Sequence, residues 1–295
     1  MGSADSVHIR RRVFVTGWIS FVVNVLIVGT GGAVRLTGSG LGCPTWPTCD
    51  GRSIVTTPEM GIHGLIEFGN RTLTGVLVIA ALAVIWAVWN IRRERRDLWR
   101  MSLIVLAGII AQAIVGGVTV WLGLNPIIVG FHYVASLVLV CVTAAFLVRA
   151  RTPQGPRVLA VSSTYARLTH LTSAFVALTV TVGVLTTGAG PHSGDANAGR
   201  NGFDAELLQH VHAWPGYATL IGAVALCVGS FRYARHLRGW SSLLLSVVLV
   251  QVAVGLWQAR TGLPVLLVGI HMVLAVLLAA AMTVVILKLK RPELV

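Results

Sequence analysis

Gln112-Ala113-Ile114-Val115-Gly116, followed twenty residues after Gln112 by Gly130-Phe131-His132, returns later in the chain as Gln251-Val252-Ala253-Val254-Gly255 with Gly269-Ile270-His271. Gly123-Leu124 and Gly262-Leu263 fall at the same offset. Thr37-Gly38-Ser39-Gly40 is echoed by Thr187-Gly188-Ala189-Gly190. Repeats among apolar helices mark a unit used twice and usually locate the site within or between the copies. Two halves are expected, residues 1–150 and 151–295, joined by the polar segment Arg149 to Arg157.

The residues between these motifs are apolar enough to be membrane helices. Of 295 residues, 55% are hydrophobic and 11% charged, and the mean hydropathy is +0.81. Such values belong to polytopic membrane proteins rather than soluble domains. Eight apolar segments, centred near Val23, Ala83, Gly108, Val140, Ala177, Gly222, Leu249 and Leu277, are long enough to cross a hydrocarbon layer of roughly 30 Å. The expected fold is all-α, with eight transmembrane helices in two pseudo-symmetric four-helix bundles. An even number of crossings in each half makes them parallel repeats, so equivalent sites lie at equal depth.

The net charge of +13 raises the question of nucleic acid. Eighteen of the 23 Lys and Arg fall in the N-terminal tail, the loops after helices two, four and six, and the C-terminal tail; the others are Arg35, Arg52, Arg71, Arg200 and Arg260. The positive-inside rule accounts for this distribution and puts both termini in the cytoplasm, so no nucleic-acid partner is expected. The first apolar run is too long for a cleavable signal peptide. Cys43 and Cys49, in the outer loop Gly42-Cys43-Pro44-Thr45-Trp46-Pro47-Thr48-Cys49, suit a disulfide on an oxidising face. The competing metal site would have two thiolates and no further ligand nearby. Cys141 and Cys227 fall within apolar helices and read as packing residues.

Polar side chains then select the site. His63, Glu67 and Asn70 are separated by four and three residues and stack on one face of helix two. Thr57-Pro58-Glu59 reads as the start of that helix, with Pro126 and Pro264 opening helices four and eight. His132 and His271, repeat mates, then lie about two turns inside. His212 occupies in helix six the place that Asn70 holds in helix two. His210 points about 200° away from its neighbour, so one of the two faces His271, and the repeat selects His212. Histidine within the membrane is a functional candidate by default. Two imidazoles on neighbouring helices at one depth suit the axial ligands of haem iron. The second half offers His212 with His271, and the first offers His132 with either His63 or Asn70. Arg35, Arg71 and Arg200 could pair with haem propionates or be ordinary loop arginines. Glu67 could pair with Arg71 one turn on, or stand beside a bound macrocycle to take a proton or stabilise positive charge.

Taken together, the Thr37-to-Cys43 loop, Trp46-Pro47 before Cys49, Glu67 followed by Asn70-Arg71, and Gly-x-His at 132 and 271 resemble the haem A synthase family over nearly the whole chain. The resemblance implies a plasma-membrane enzyme, with its active-site face toward the outer side, that oxidises the C8 methyl group of haem O to a formyl group and so makes haem A for terminal oxidases. It implies a haem b cofactor on His212 and His271. The substrate haem O then sits in the first half near His132 and Arg71, with Glu67 catalytic and Cys43 and Cys49 as the outer-loop pair. Haem O synthase and oxidase assembly factors are the implied partners, with membrane lipid around the helices and a homo-oligomer as a possible state. The chain departs from the family pattern at Asn70, where His is common, and His63 is expected to substitute as the iron ligand. Two alternatives are a di-haem electron-transfer cytochrome, which has little use for Glu67, and a haem-transfer protein of oxidase assembly.

Overall fold

In the computed structural model, which describes residues 3–293, eight long helices run in chain order: α1 (Ser3–Leu36), α2 (Gly61–Val88), α3 (Arg96–Trp121), α4 (Pro126–Ala150), α5 (Ser163–Ala189), α6 (Ala205–Tyr233), α7 (Arg238–Arg260) and α8 (Val265–Leu287). All eight are long and apolar enough to cross a membrane. Large apolar side chains such as Ile79, Ile221, Val228 and Leu266 stand outward on the helix surfaces. Lipid, not water, is the solvent for such a surface, and the chain is a multi-pass membrane protein.

Within the first four helices α1 packs on α2 and α4, and α3 on both α2 and α4. Within the last four, α5 packs on α6 and α8, and α7 on both α6 and α8. Between the two sets run α1, α4 and α8. Their seam is a buried cluster that includes Val28, Val140, Ala144, Val276, Ala279 and Ala280. The three alanines let the backbones approach closely, as helix contacts in lipid require. Tyr133 on α4 donates its hydroxyl to the Met272 carbonyl on α8 at 2.9 Å. Each member of that contact is the chain neighbour of a candidate ligand, His132 or His271.

Local signals explain several helix ends. Asn125 caps α4 by accepting from the Ile127 N–H at 3.0 Å, with Pro126 in the first turn, and Asp204 caps α6 by accepting from Leu207 N–H at 2.8 Å. Leu124 and Leu263 both adopt left-handed backbone, φ 60° and 59°, in the turns after α3 and α7. That conformation costs a branched residue of order 1–3 kcal/mol, so its recurrence at the repeated Gly-Leu shows a shared turn.

Two expectations need correction. Thr57-Pro58-Glu59 does not open α2: Pro58–Met60 is a separate 3₁₀ turn, Thr57 makes no side-chain capping bond, and Gly61 at φ 57°, the first residue of α2, resets the chain between the two. The segment after α4 is also more than a polar linker. Its β1 (Arg157–Leu159) pairs antiparallel with β2 (Lys290–Pro292), and Ala160 N–H donates to Leu289 O at 2.8 Å. Main-chain pairing there ties the middle of the chain to its end, a contact no helical period encodes.

Candidate functional sites

Two histidine sites emerge at the same end of the helices. In the later one, α6 and α8 bring His212 and His271 face to edge, with ring centres 6.1 Å apart and planes at 75°. Metal–nitrogen bonds of about 2 Å on opposite sides of one ion put the centres of two trans imidazoles about 6 Å apart. His212 Nδ1 lies 3.0 Å from the Thr179 carbonyl of α5, and donation from Nδ1–H leaves Nε2 as the coordinating nitrogen. Glycine makes the room. A Cβ at Gly183 would fall 2.7 Å from His212 Cε1, and one at Gly255 would fall 3.0 Å from His271 Cε1. The Gln251 amide donates to the His271 carbonyl at 3.1 Å, steadying the helix turn that carries the ligand. These residues fit a bis-imidazole haem. Among the described residues no group of three or more His, Cys, Asp or Glu converges as a zinc site would require.

The earlier site is a cavity of about 320 Å³ among α1 to α4. His132 lines it, with the Gln112 amide donating to the His132 carbonyl at 2.7 Å, the same arrangement as Gln251 and His271. A Cβ at the equivalent glycine, Gly116, would lie 3.5 Å from His132 Cε1, an ordinary contact. Both repeat mates, His132 and His271, have a buried Nδ1 with no hydrogen-bond partner.

Glu67 and Asn70 also line this cavity, but His63 does not. His63 Nδ1 sits 2.8 Å from Ser39 Oγ, in a hydroxyl chain that continues to Thr37 at 2.8 Å. The shared stripe on α2 is real as spacing, yet the loop after α1 claims its outermost member. The backbones there meet so closely that a Cβ at Gly42 would collide with the His63 carbonyl. Asn70 is held by Thr30, whose hydroxyl lies 2.7 Å from Asn70 Oδ1.

Glu67 is 5% exposed, and both its oxygens are bound. Oε2 accepts from the Cys43 N–H at 2.7 Å and Oε1 from Arg71 at 2.5 Å. Arg71 in turn donates to the carbonyls of Cys43, Thr45 and Thr48 at 2.9, 2.8 and 3.2 Å. One guanidinium thus fastens the whole 43–48 loop to α2. The Cys43–Cys49 disulfide closes that loop. Trp46 reaches α3, where a Cβ at Gly117 would collide with its indole and where it stacks edge-on against Trp121 at 5.4 Å. Trp46 and Pro47 form part of the cavity wall.

A cover also comes from the later half of the sequence. Arg35 lines the cavity and donates to the Thr187 and His192 carbonyls at 3.0 and 2.9 Å, Gly40 N–H donates to Gly194 O at 2.8 Å, and Ser193 and Gly194 complete the wall. Arg200 is bonded to the Pro191 and Ala198 carbonyls of the same loop. Of the three arginines considered for propionates, Arg35 and Arg71 reach the cavity wall and Arg200 braces a loop. His210 turns away, its Nδ1 on the Glu206 carbonyl at 2.9 Å.

Sequence reasoning noticed Gln112, Gln251, Gly116 and Gly255 as repeats without giving them work, and it missed Gly183, Thr179 and Thr30. Recurrence at equal offset was the available signal for the first four. Nothing in the local sequence marks the other three.

Comparison with known proteins adds family and relatives. A family model described as cytochrome oxidase assembly protein (COX15-CtaA) matches residues 15–283. The chain is 37% identical over 124 residues to a protein named heme A synthase from Bacillus pumilus (strain SAFR-032), covering 40% of this chain and 38% of that protein. It is 35% identical over 124 residues to heme A synthase of Lysinibacillus sphaericus (strain C3-41), covering 41% and 39%. To heme A synthase of Listeria welshimeri it is 29% identical over 130 residues, covering 43% and 42%. The aligned part thus spans about two fifths of each relative's length.

Proposed function

The chain belongs to the COX15-CtaA family of cytochrome oxidase assembly proteins, and from that premise we propose that it is an enzyme of haem A formation, oxidising the C8 methyl group of haem O to a formyl group. The observation that carries the proposal is the buried carboxylate of Glu67 in the wall of the cavity that also holds His132. An electron carrier has no need of such a group beside its macrocycle. The names of the relatives, heme A synthase, support a role in haem A formation.

Residues 1–150 would form the substrate half and 151–295 the cofactor half. His132 would hold the iron of haem O, and His212 with His271 would hold a haem b, which would supply electron relay. Two successive oxidations of the methyl carbon, each replacing a C–H by C–OH with oxygen from water while two protons leave and an external oxidant takes two electrons, would give an alcohol and then a gem-diol, which loses water to leave the aldehyde. Glu67 takes a proton from the reacting carbon's substituents or stabilises positive charge developing there. Arg71 orients Glu67 through their ion pair and keeps the disulfide loop over the cavity, excluding bulk water. Arg35 stands where a propionate could reach it. The disulfide end faces outward from the plasma membrane with both termini cytoplasmic, following the distribution of Lys and Arg. Haem O synthase, which makes the substrate, and oxidase assembly factors, which receive the product, are the partners this reading implies.

Co-expression with a supply of haem O, followed by extraction of the haems, tests this directly. Formyl haem is expected with the natural sequence and is lost in Glu67→Gln at unchanged haem content. Absence of formyl haem in the first case, or its persistence in the second, overturns the proposal.

A further inference from the structure

The two sites differ in how many imidazoles they can offer an iron. His212 and His271 face each other across the later site, whereas among the described residues His132 is the one histidine in the wall of the earlier cavity. Haem iron in proteins is held by His, Cys, Met or Tyr. Among the described residues no Cys, Met or Tyr lines this cavity. Glu67 is engaged on both oxygens by Cys43 and Arg71. His63 is held outside by Ser39. Asn70, which stands at the repeat position of His212, is bonded to Thr30 and carries an amide, a poor ligand for iron.

We propose that the cavity among α1 to α4 binds its haem substrate through His132 alone, leaving the iron face beneath Asn70 open to a neutral diatomic ligand of the dioxygen and carbon monoxide class. The inference rests on the reading that this cavity takes a haem. It makes the two sites chemically unlike: six-coordinate and closed at His212 and His271, five-coordinate and open at His132. Asn70 is then a specificity-determining residue, because an imidazole at that position would close the open face.

Carbon monoxide is the probe. Full-length protein purified from cells supplied with haem O is reduced with dithionite and its spectrum recorded before and after adding the gas. One of the two haems is expected to shift while the other stays low-spin, and the oxidised protein is expected to show a high-spin signal beside a low-spin one by electron paramagnetic resonance. Asn70→His should abolish the carbon monoxide shift and the high-spin signal with both haems retained. His132→Ala should remove the reactive haem and spare the other, and His63→Ala should leave the shift unchanged. Protein whose haems are all low-spin and unreactive overturns the proposal, as does a shift that arises only in His63→Ala, which would make His63 the second ligand. The resonance spectrum of the natural protein decides the matter even if Asn70→His fails to fold. Formyl haem made by an unreactive protein sinks this inference and leaves the functional reading standing. A reactive haem with no formyl product does the reverse.

Discussion

The sites at His132 and at His271 share one wall and differ in the other. On the shared side, α3 with α4 and α7 with α8 repeat a glutamine that donates to the backbone of the histidine and a glycine that faces its ring. On the other side, α6 contributes a single imidazole, while α2 contributes Glu67, Asn70 and Arg71 beneath a disulfide-closed loop. The side chains differ on one helix and its preceding loop, while the facing pair of helices repeats. The difference teaches that one histidine-bearing helix pair can be kept while the helix opposite it carries either an imidazole or a carboxylate, an amide and a guanidinium.

The strongest way to break the comparison is to remove its ligands. His271→Ala is expected to abolish the low-spin haem signal of the later site and to leave the haem bound at His132, read as haem content and absorbance of the purified protein. Loss of both haems would make His271 a folding residue. Next comes Gly183→Ala, whose methyl would meet the His212 ring at 2.7 Å, set against Gly116→Ala, whose methyl would meet His132 at an ordinary 3.5 Å. The first is expected to weaken haem retention about tenfold or more, comparable with losing an outer-shell partner, and the second to be nearly silent. Equal effects would show that both rings are equally confined.

Smaller effects sharpen the shared wall. Gln112→Leu removes bonds to the His132 carbonyl and to Ser136 Oγ, and should cost about 1 kcal/mol in thermal unfolding of the detergent-solubilised protein. Gln251→Leu removes a bond to the His271 carbonyl and should cost less. Tyr133→Phe deletes only the hydroxyl that joins α4 to the Met272 carbonyl, and about 0.6 kcal/mol is expected, the average for hydrogen bonds between membrane helices.

Much of this is legible in the sequence. Apolar runs announced eight helices because a bilayer imposes length and composition directly on the chain. The repeated Gln, Gly and His were visible for the same reason that they work, since equal spacing on equivalent helices gives equal placement. The pairing of His212 with His271, chosen over His210 by helical angle and repeat, agrees with the 6.1 Å between their rings. Helical spacing also aligned Glu67 with Asn70, and both line one cavity.

What spacing could not decide was which neighbour each polar group would choose. His63 shares the stripe of Glu67, but Ser39, twenty-four residues earlier, takes its ring. Arg71 was legible as a partner for Glu67, yet its three bonds to carbonyls of the 43–48 loop depend on the path of that loop. The cover that Arg35 builds from residues 187–194 joins parts of the chain about 150 residues apart. The amino-acid sequence by itself determined the helices, their repeat and the candidate histidines His132, His212 and His271, because hydrophobic length and helical period are local properties. Only the tertiary structure decided that the earlier site has one histidine where the later has two. Hydrogen-bond partners in a loop are fixed by where distant backbone carbonyls and hydroxyls come to rest, and no local period carries that information.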